Sequence, residues 1–186
     1  EFNYWLPNKR LAVCSGLAEY GRNNITYIDD WGNFFTLYSY FTDMPCDGEY
    51  AWCEIKNMEL CASCGVCIKS CPTKAIRENR FLIDNETCFT HFEESEQPFP
   101  DWLPDRAYQS VFGCFRCQEV CPKNRNVLNN IETTVKFDET ETGLLMAGTP
   151  RSEMPESMVG KLNMLGIDDW RLRIMPKGLK AIFERV

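Results

Sequence analysis

Cys61, Cys64, Cys67 and Cys71, followed by Pro72, lie in the stretch CASCGVCIKSCPTKAI (61–76), with gaps of two, two and three residues. This is the C-x2-C-x2-C-x3-C-P spacing that wraps a cubane [4Fe–4S] cluster. Thiols at i, i+3 and i+6 reach three iron corners from one tight loop, and the backbone N–H groups of that loop can point at the sulfides. The fourth thiol lies too far along the chain to close the same cube. In two-cluster proteins it serves the other cluster. Pro72 turns the chain away and offers no N–H.

A cysteine given to another cluster demands a second half. GCFRCQEVCPKN (113–124) supplies it: Cys114, Cys117 and Cys121-Pro122 repeat the spacing of two, the spacing of three and the proline. One thiol of the usual leading three is missing, and Cys88, in NETCFTHF (85–92), is the natural substitute. Cluster one then takes Cys61, Cys64, Cys67 and Cys121, and cluster two takes Cys71, Cys88, Cys114 and Cys117. The competing chemistry is zinc, which also favours four-cysteine sites built from C-x2-C pairs. A C-x2-C-x2-C row ending in C-P is foreign to zinc ribbons, so the pattern favours iron and sulfide.

The whole chain of 186 residues carries eleven cysteines. An odd count without a visible signal peptide argues against a disulfide framework, and reduced thiols argue for a cytoplasmic home. Cys14, Cys46 and Cys53 are expected to be small buried hydrophobes instead of ligands. His91, the one histidine, follows Cys88 by three residues; its choices are a hydrogen bond that tunes a cluster or a partly exposed place on a helix, and the second is favoured.

With 44% hydrophobic residues the chain is globular, and no apolar run approaches the roughly 18 residues of a membrane span. A net charge of −7 speaks against nucleic-acid binding through bulk positive charge. Lys9-Arg10 with Arg22, and Lys123 with Arg125, are local basic groups expected to be solvated surface. The chain opens on Glu1 instead of Met, as a processed, truncated or partial chain does.

The elements that must hold the thiols can be read coarsely. NKRLAVCSGLAEYG suits a short helix ending near Gly16. NITYID (24–29) and FFTLYSYFT (34–42), joined by the turn signal at 29–33, predict a hairpin. Ala75-Ile76 and RFLID (80–84) predict a short ribbon about Asn79. Residues 93–105, with three prolines, read as a loop. Beyond Cys121, DETETGLLMAG (138–148) has an Asp cap, an acidic first turn and a closing Gly. MPESMVGKLNMLG (154–166) starts at Pro155 and places Met158, Val159, Leu162 and Leu165 on one face. MPKGLKAIFERV repeats the proline start. The methionines are core packing.

CASCGVCIKSCPTKAI, LIDNETCFTHFEE and GCFRCQEVCPKN together resemble the double-cluster domain of epoxyqueuosine reductases and their relatives, among them the reductive dehalogenases. Residues 11–45 are similar to the family segment before the clusters, where a Gly-Leu-Gly-x-x-Gly-Lys-Asn-like turn precedes a hairpin; here it reads Gly16-Leu17-Ala18-Glu19-Tyr20-Gly21-Arg22-Asn23. The helical tail is similar as well. The resemblance implies an α+β fold. It consists of the end of a nitroreductase-like corrinoid domain (1–52), a ferredoxin-like domain with two [4Fe–4S] clusters (53–130) and a helical C-terminal extension (131–186).

It also implies a corrinoid enzyme, in which the clusters pass low-potential electrons to a cobalamin whose reduced cobalt attacks the substrate, a modified base of a tRNA anticodon. Gly16, Tyr20, Gly21 and Asn23 would then line the corrinoid rim. A flavodoxin- or ferredoxin-type donor would supply the electrons. Most of the family's corrinoid half, with its acidic proton donor, has no counterpart in these residues, so no catalytic acid is assigned. The alternative is a two-cluster ferredoxin-like carrier that serves a separate enzyme.

Overall fold

The computed structural model describes residues 6–45, 48–130 and 135–184. In chain order the elements are α1 (Asn8–Cys14), β1 (Glu19–Tyr20), β2 (Thr26–Tyr27), α2 (Val66–Ser70), α3 (Phe89–Glu93), α4 (Arg116–Glu119), α5 (Glu139–Ala147), α6 (Glu156–Met164) and α7 (Asp169–Phe183), with short 3-10 turns between them. The fold is mixed helix and small sheet. Compactness divides it into two units that interleave along the chain: Glu1–Asp84 with Arg116–Asn130, and Asn85–Phe115 with Ile131–Val186.

In the first unit, α1 begins after Pro7 and ends where Gly16 turns left-handed at φ +78. Its buried Ala12 and Val13 pack with Ala18. β1 and β2 pair antiparallel, Glu19 opposite Tyr27 and Tyr20 opposite Thr26. Asn24 closes the intervening turn at φ +61, a conformation that asparagine tolerates better than most residues. The other edge of β1 receives the chain at 56–58 through Tyr20 N–H to Lys56 O and Met58 N–H to Tyr20 O, both 2.8 Å.

The sequence-derived hairpin is not formed. β2 pairs back to β1, and 34–42 takes no strand. The chain is turned sharply at Ile28–Gly32, where Asp30 and Gly32 are both left-handed. Asn33 is then drawn inward by a residue 91 positions away: its N–H donates to Asn124 Oδ1 at 3.1 Å, and the Asn124 amide donates back to its side-chain oxygen at 2.5 Å. This buried polar exchange satisfies four groups at once, and it removes the chain from β2. The ribbon about Asn79 is present as the Ile76–Ile83 bridge.

The cysteine halves repeat as backbone. α2 ends in Cys71 with ψ 116, and the turn after α4 ends in Cys121 with ψ 123, both followed by proline. A residue before proline is pushed out of the helical region, so each C-P pair breaks its helix at the same place.

The second unit is helical. α5 has the full capping box, with Asp138 accepting from Glu141 N–H at 2.8 Å and Glu141 reaching back to Asp138 N–H at 2.9 Å, and it closes on left-handed Gly148. α6 follows Pro155. Leu145, Met154, Met158, Leu162, Leu172, Met175 and Leu179 form one apolar core. Of the expected α6 face, Met158 and Leu162 are fully buried and Leu165 is exposed.

Pro176 does not start a helix; it lies inside α7, which begins at the Asp168 cap. An internal proline costs about 3 kcal/mol. Running on past it buries Leu179, at about 1.5–3 kcal/mol, together with Ala181, which offsets that cost. A second cluster joins Phe89, Leu103, Ala107, Tyr108 and Ala181. There Phe89 and Phe99 stack at 5.5 Å and Tyr108 meets both edge-on.

Candidate metal centre

In the first unit Cys61, Cys64, Cys67 and Cys121 line one small pocket, together with Arg22, Asn23, Tyr27 and Met58. Cys61 comes from the 3-10 turn Glu59–Ala62, Cys67 from α2, and Cys121 from the extended residue after α4. α2 and α4 pack on one another, which sets Cys121 against the first three thiols. Burial, with the neighbouring thiols Cys61, Cys121 and Cys64 behind it, pushes the Cys67 thiol up to about 11. Burial likewise raises Cys61, against the pull of the Arg22 N–H directed at its sulfur. The Ile68 N–H is similarly directed at Cys67.

These facts test the fit of a cluster. The donor set is all sulfur, Cys61 is buried and the other three are half-buried, and backbone donors point at two of the sulfurs. That is what a cubane of net negative charge requires. Among the described residues no three His, Cys, Asp or Glu side chains converge closely enough to hold a single ion.

Arg22 braces the pocket. Its guanidinium donates to Cys61 O at 3.0 Å and to Glu78 O, and it lies 4.6 Å over the Phe81 ring. It is therefore a structural clamp and not the solvated surface expected of a basic group. Lys123 pairs with Asp29, and Lys9 donates to Asn24 O at 3.0 Å.

Asn23 and Tyr27 form the pocket's polar wall. Both are buried, and the Asn23 amide donates to the Tyr27 hydroxyl at 2.9 Å. Burial, followed by a hydrogen bond with the Cys121 sulfur, pushes the Tyr27 hydroxyl far up, so it keeps its proton. Gly21 lies behind them: a Cβ there would stand 2.6 Å from the Tyr27 ring and 2.7 Å from Asn23 Oδ1. Of the four residues expected at a corrinoid rim, Gly21 and Asn23 thus back the sulfur pocket. Tyr20 is half-buried in β1, and Gly16 is an exposed helix end.

The remaining four thiols divide between the units. In the first, Cys71 is buried and accepts from Ala75 N–H at 3.3 Å, and Cys117 is half-buried on α4 with its carbonyl 3.5 Å from the Asn23 amide. In the second, Cys88 precedes α3 in extended backbone. Cys114 donates its N–H to Thr90 Oγ1 at 3.2 Å, and Gly113 N–H donates to Glu93 at 2.7 Å. Glu93, only 1% exposed, is raised to about 7 by burial. His91 is an exposed residue of α3 beside Asn85.

Cys14 and Cys53 depart from the expected buried places. Cys14 is half-buried and Cys53 exposed, their backbones joined by Cys53 N–H to Cys14 O at 2.7 Å. The exposed stretch around Cys53 gives its side chain no cover. Cys46 lies outside the described residues.

Sequence reading did not find Tyr27, Arg22 or Glu93 as parts of a site. Tyr27 reads only as a strand residue, and a lone Glu after an aromatic carries no sign of burial. Asn124, in CPKN, is fully buried; its signal was an amide where a solvated residue would serve.

Residues 60–124 match the family described as the 4Fe-4S double cluster binding domain. The match covers about a third of the chain. The matched residues contain all eight thiols of the two cysteine halves. An epoxyqueuosine reductase from Cyclobacterium marinum is 32% identical over 118 residues, covering 63% of this chain and 36% of that protein. The solved epoxyqueuosine reductase from Bacillus subtilis superposes on 97% of this chain with a TM-score of 0.65 at 17% identity. An epoxyqueuosine reductase with an epoxyqueuosine-modified tRNA-Tyr stem loop does so with a TM-score of 0.58 at 17% identity. The chain spans about a third of the curated relative's length and about half that of the solved structures. No helix of the described residues is long and apolar enough to cross a membrane.

Proposed function

We propose that this chain carries low-potential electrons through two [4Fe–4S] clusters to a cobalamin, as part of an epoxyqueuosine reductase-like reductase. The observation that carries the reading is the convergence of Cys61, Cys64, Cys67 and Cys121 on one pocket. Each cluster, when bound, supplies reversible one-electron chemistry. The chain's own residues fix its sulfur ligands, keep water from them, and direct N–H groups at the sulfurs so that added negative charge is stabilised. Cys71, Cys88, Cys114 and Cys117 hold the second cluster, a ligand set that follows from the repeated spacing.

In this reading residues 1–52 are the end of a nitroreductase-like corrinoid domain, 53–130 the ferredoxin-like electron-transfer part and 131–186 a helical extension. Gly16, Tyr20, Gly21 and Asn23 face the corrinoid. Asn23 touches Tyr27, whose hydroxyl reaches Cys121, so rim and cluster ligands belong to one hydrogen-bonded group. The electron donor is of flavodoxin or ferredoxin type, the substrate a modified tRNA anticodon base, and the compartment the cytoplasm.

Anaerobic reconstitution tests it. The expected product is brown, with about eight irons and eight sulfides per chain, and reduces added cobalamin through the clusters. Failure of the full-length protein to retain any corrinoid leaves a stand-alone electron carrier. The crossed ligand set is tested by Cys71→Ala, which is expected to remove the cluster of Cys88, Cys114 and Cys117 and spare that of Cys61, Cys64 and Cys67. Loss of the latter instead overturns the assignment.

A further inference from the structure

Tyr27 is among the largest fully buried side chains, 2% exposed, and packs with Cys61 and Cys121. A buried phenol needs partners for both its lone pairs and its proton. The Asn23 amide fills the accepting role at 2.9 Å. The orientation of that amide is fixed by its second contact, 3.5 Å to the Cys117 carbonyl, which only an N–H can make. With its oxygen already accepting, the phenol has its own proton left to give. Cys121 packs against Tyr27 in the same pocket, and its sulfur, as a metal thiolate, can only accept. Gly21 leaves the space this pair fills.

We infer that Tyr27, oriented by Asn23, donates a hydrogen bond to the Cys121 ligand sulfur and thereby raises the reduction potential of cluster one. The inference rests on the cluster reading above. A donor on a ligand sulfur stabilises the reduced, more negative cluster more than the oxidised one. Tyr27 is a positioning and tuning residue; it touches the ligand and not the substrate.

The test is an EPR-monitored redox titration of the reconstituted full chain beside Tyr27→Phe, with iron counted in each. The expected result is one step moved to more negative potential, by up to about tenfold in the redox equilibrium (59 mV for a one-electron couple), and the other step unmoved. Resonance Raman should show the same variant losing part of the D2O shift of its Fe–S(Cys) bands. Full iron content with both potentials unchanged overturns the inference. If Tyr27→Phe loses iron, Asn23→Ala decides: it keeps the phenol but removes its orienting donor. A smaller negative shift of the same step supports the inference, and an unmoved step overturns it. Absence of a cubane from the wild-type protein would sink the underlying reading before any variant is made.

Discussion

The two compact units solve the problem of holding short helices by different means. The second unit does it with oil. Seven apolar side chains from α5, α6, α7 and the turns beside them form one core, and a ring cluster forms another. Among its described residues, the first unit packs in small apolar groups, Ala12-Val13-Ala18 and Tyr27-Met58-Cys61. It is held by polar clamps: Arg22 on the carbonyl of Cys61, Asn124 on Asn33 and Gln118, Lys123 on Asp29. α2 and α4 have five and four residues, too few to persist alone. On the proposed cluster reading, a unit so built draws order from the cluster that joins its thiols, because binding free energy at such a site is folding free energy.

The largest effect should come from removing iron. Chelation under reducing conditions is expected to abolish amide protection over residues 59–72 and 116–124 while α5, α6 and α7 keep theirs, as read by hydrogen exchange. Equal loss in both units would erase the distinction between them. The converse lesion is Leu162→Ala, at a site with no exposure. It should lower the denaturation free energy of the helical unit by about 2–5 kcal/mol and leave the visible spectrum of the clusters unchanged.

A finer test uses pH. Burial raises Glu93 from 4.5 to about 7, with Glu94 adding to the shift and Lys177 and the Gly113 N–H opposing it. The folded state therefore holds a proton that the unfolded chain gives up. The stability from this group is fully present below about pH 4.5 and lost as pH rises through 7, a swing of about 3 kcal/mol. Glu93→Gln keeps an acceptor for Gly113 and should flatten that part of the pH–stability curve. An unchanged slope would show that Glu93 is not the group responsible.

What the sequence made legible is local. The Asp138 box and Gly148 announce α5 because caps act within a few residues, and the two C-P endings announce equivalent breaks because proline acts on its neighbour. The hairpin failed because Asn33 answers to Asn124, and nothing near position 33 reports a partner 91 residues on. Pro176 misled because its local cost is outweighed by burial against residues far along the chain. Spacing alone singled out Cys61, Cys64, Cys67 and Cys121, which the structure sets around one pocket; Tyr27 gave no such signal, since a tyrosine in a β-rich run looks the same whether it faces water or sulfur.

Lys177, in the middle of α7, sends its ammonium to the carbonyls of Phe92, Ser95 and Gln97 and lies 4.6 Å over the Phe99 ring. One cation from the last helix thus finishes the end of α3 and staples the proline-rich strand of chain behind it. Cys88 immediately precedes α3, so loss of that amine, whether by substitution or by acylation, will register as disorder beside a cysteine nearly ninety positions upstream.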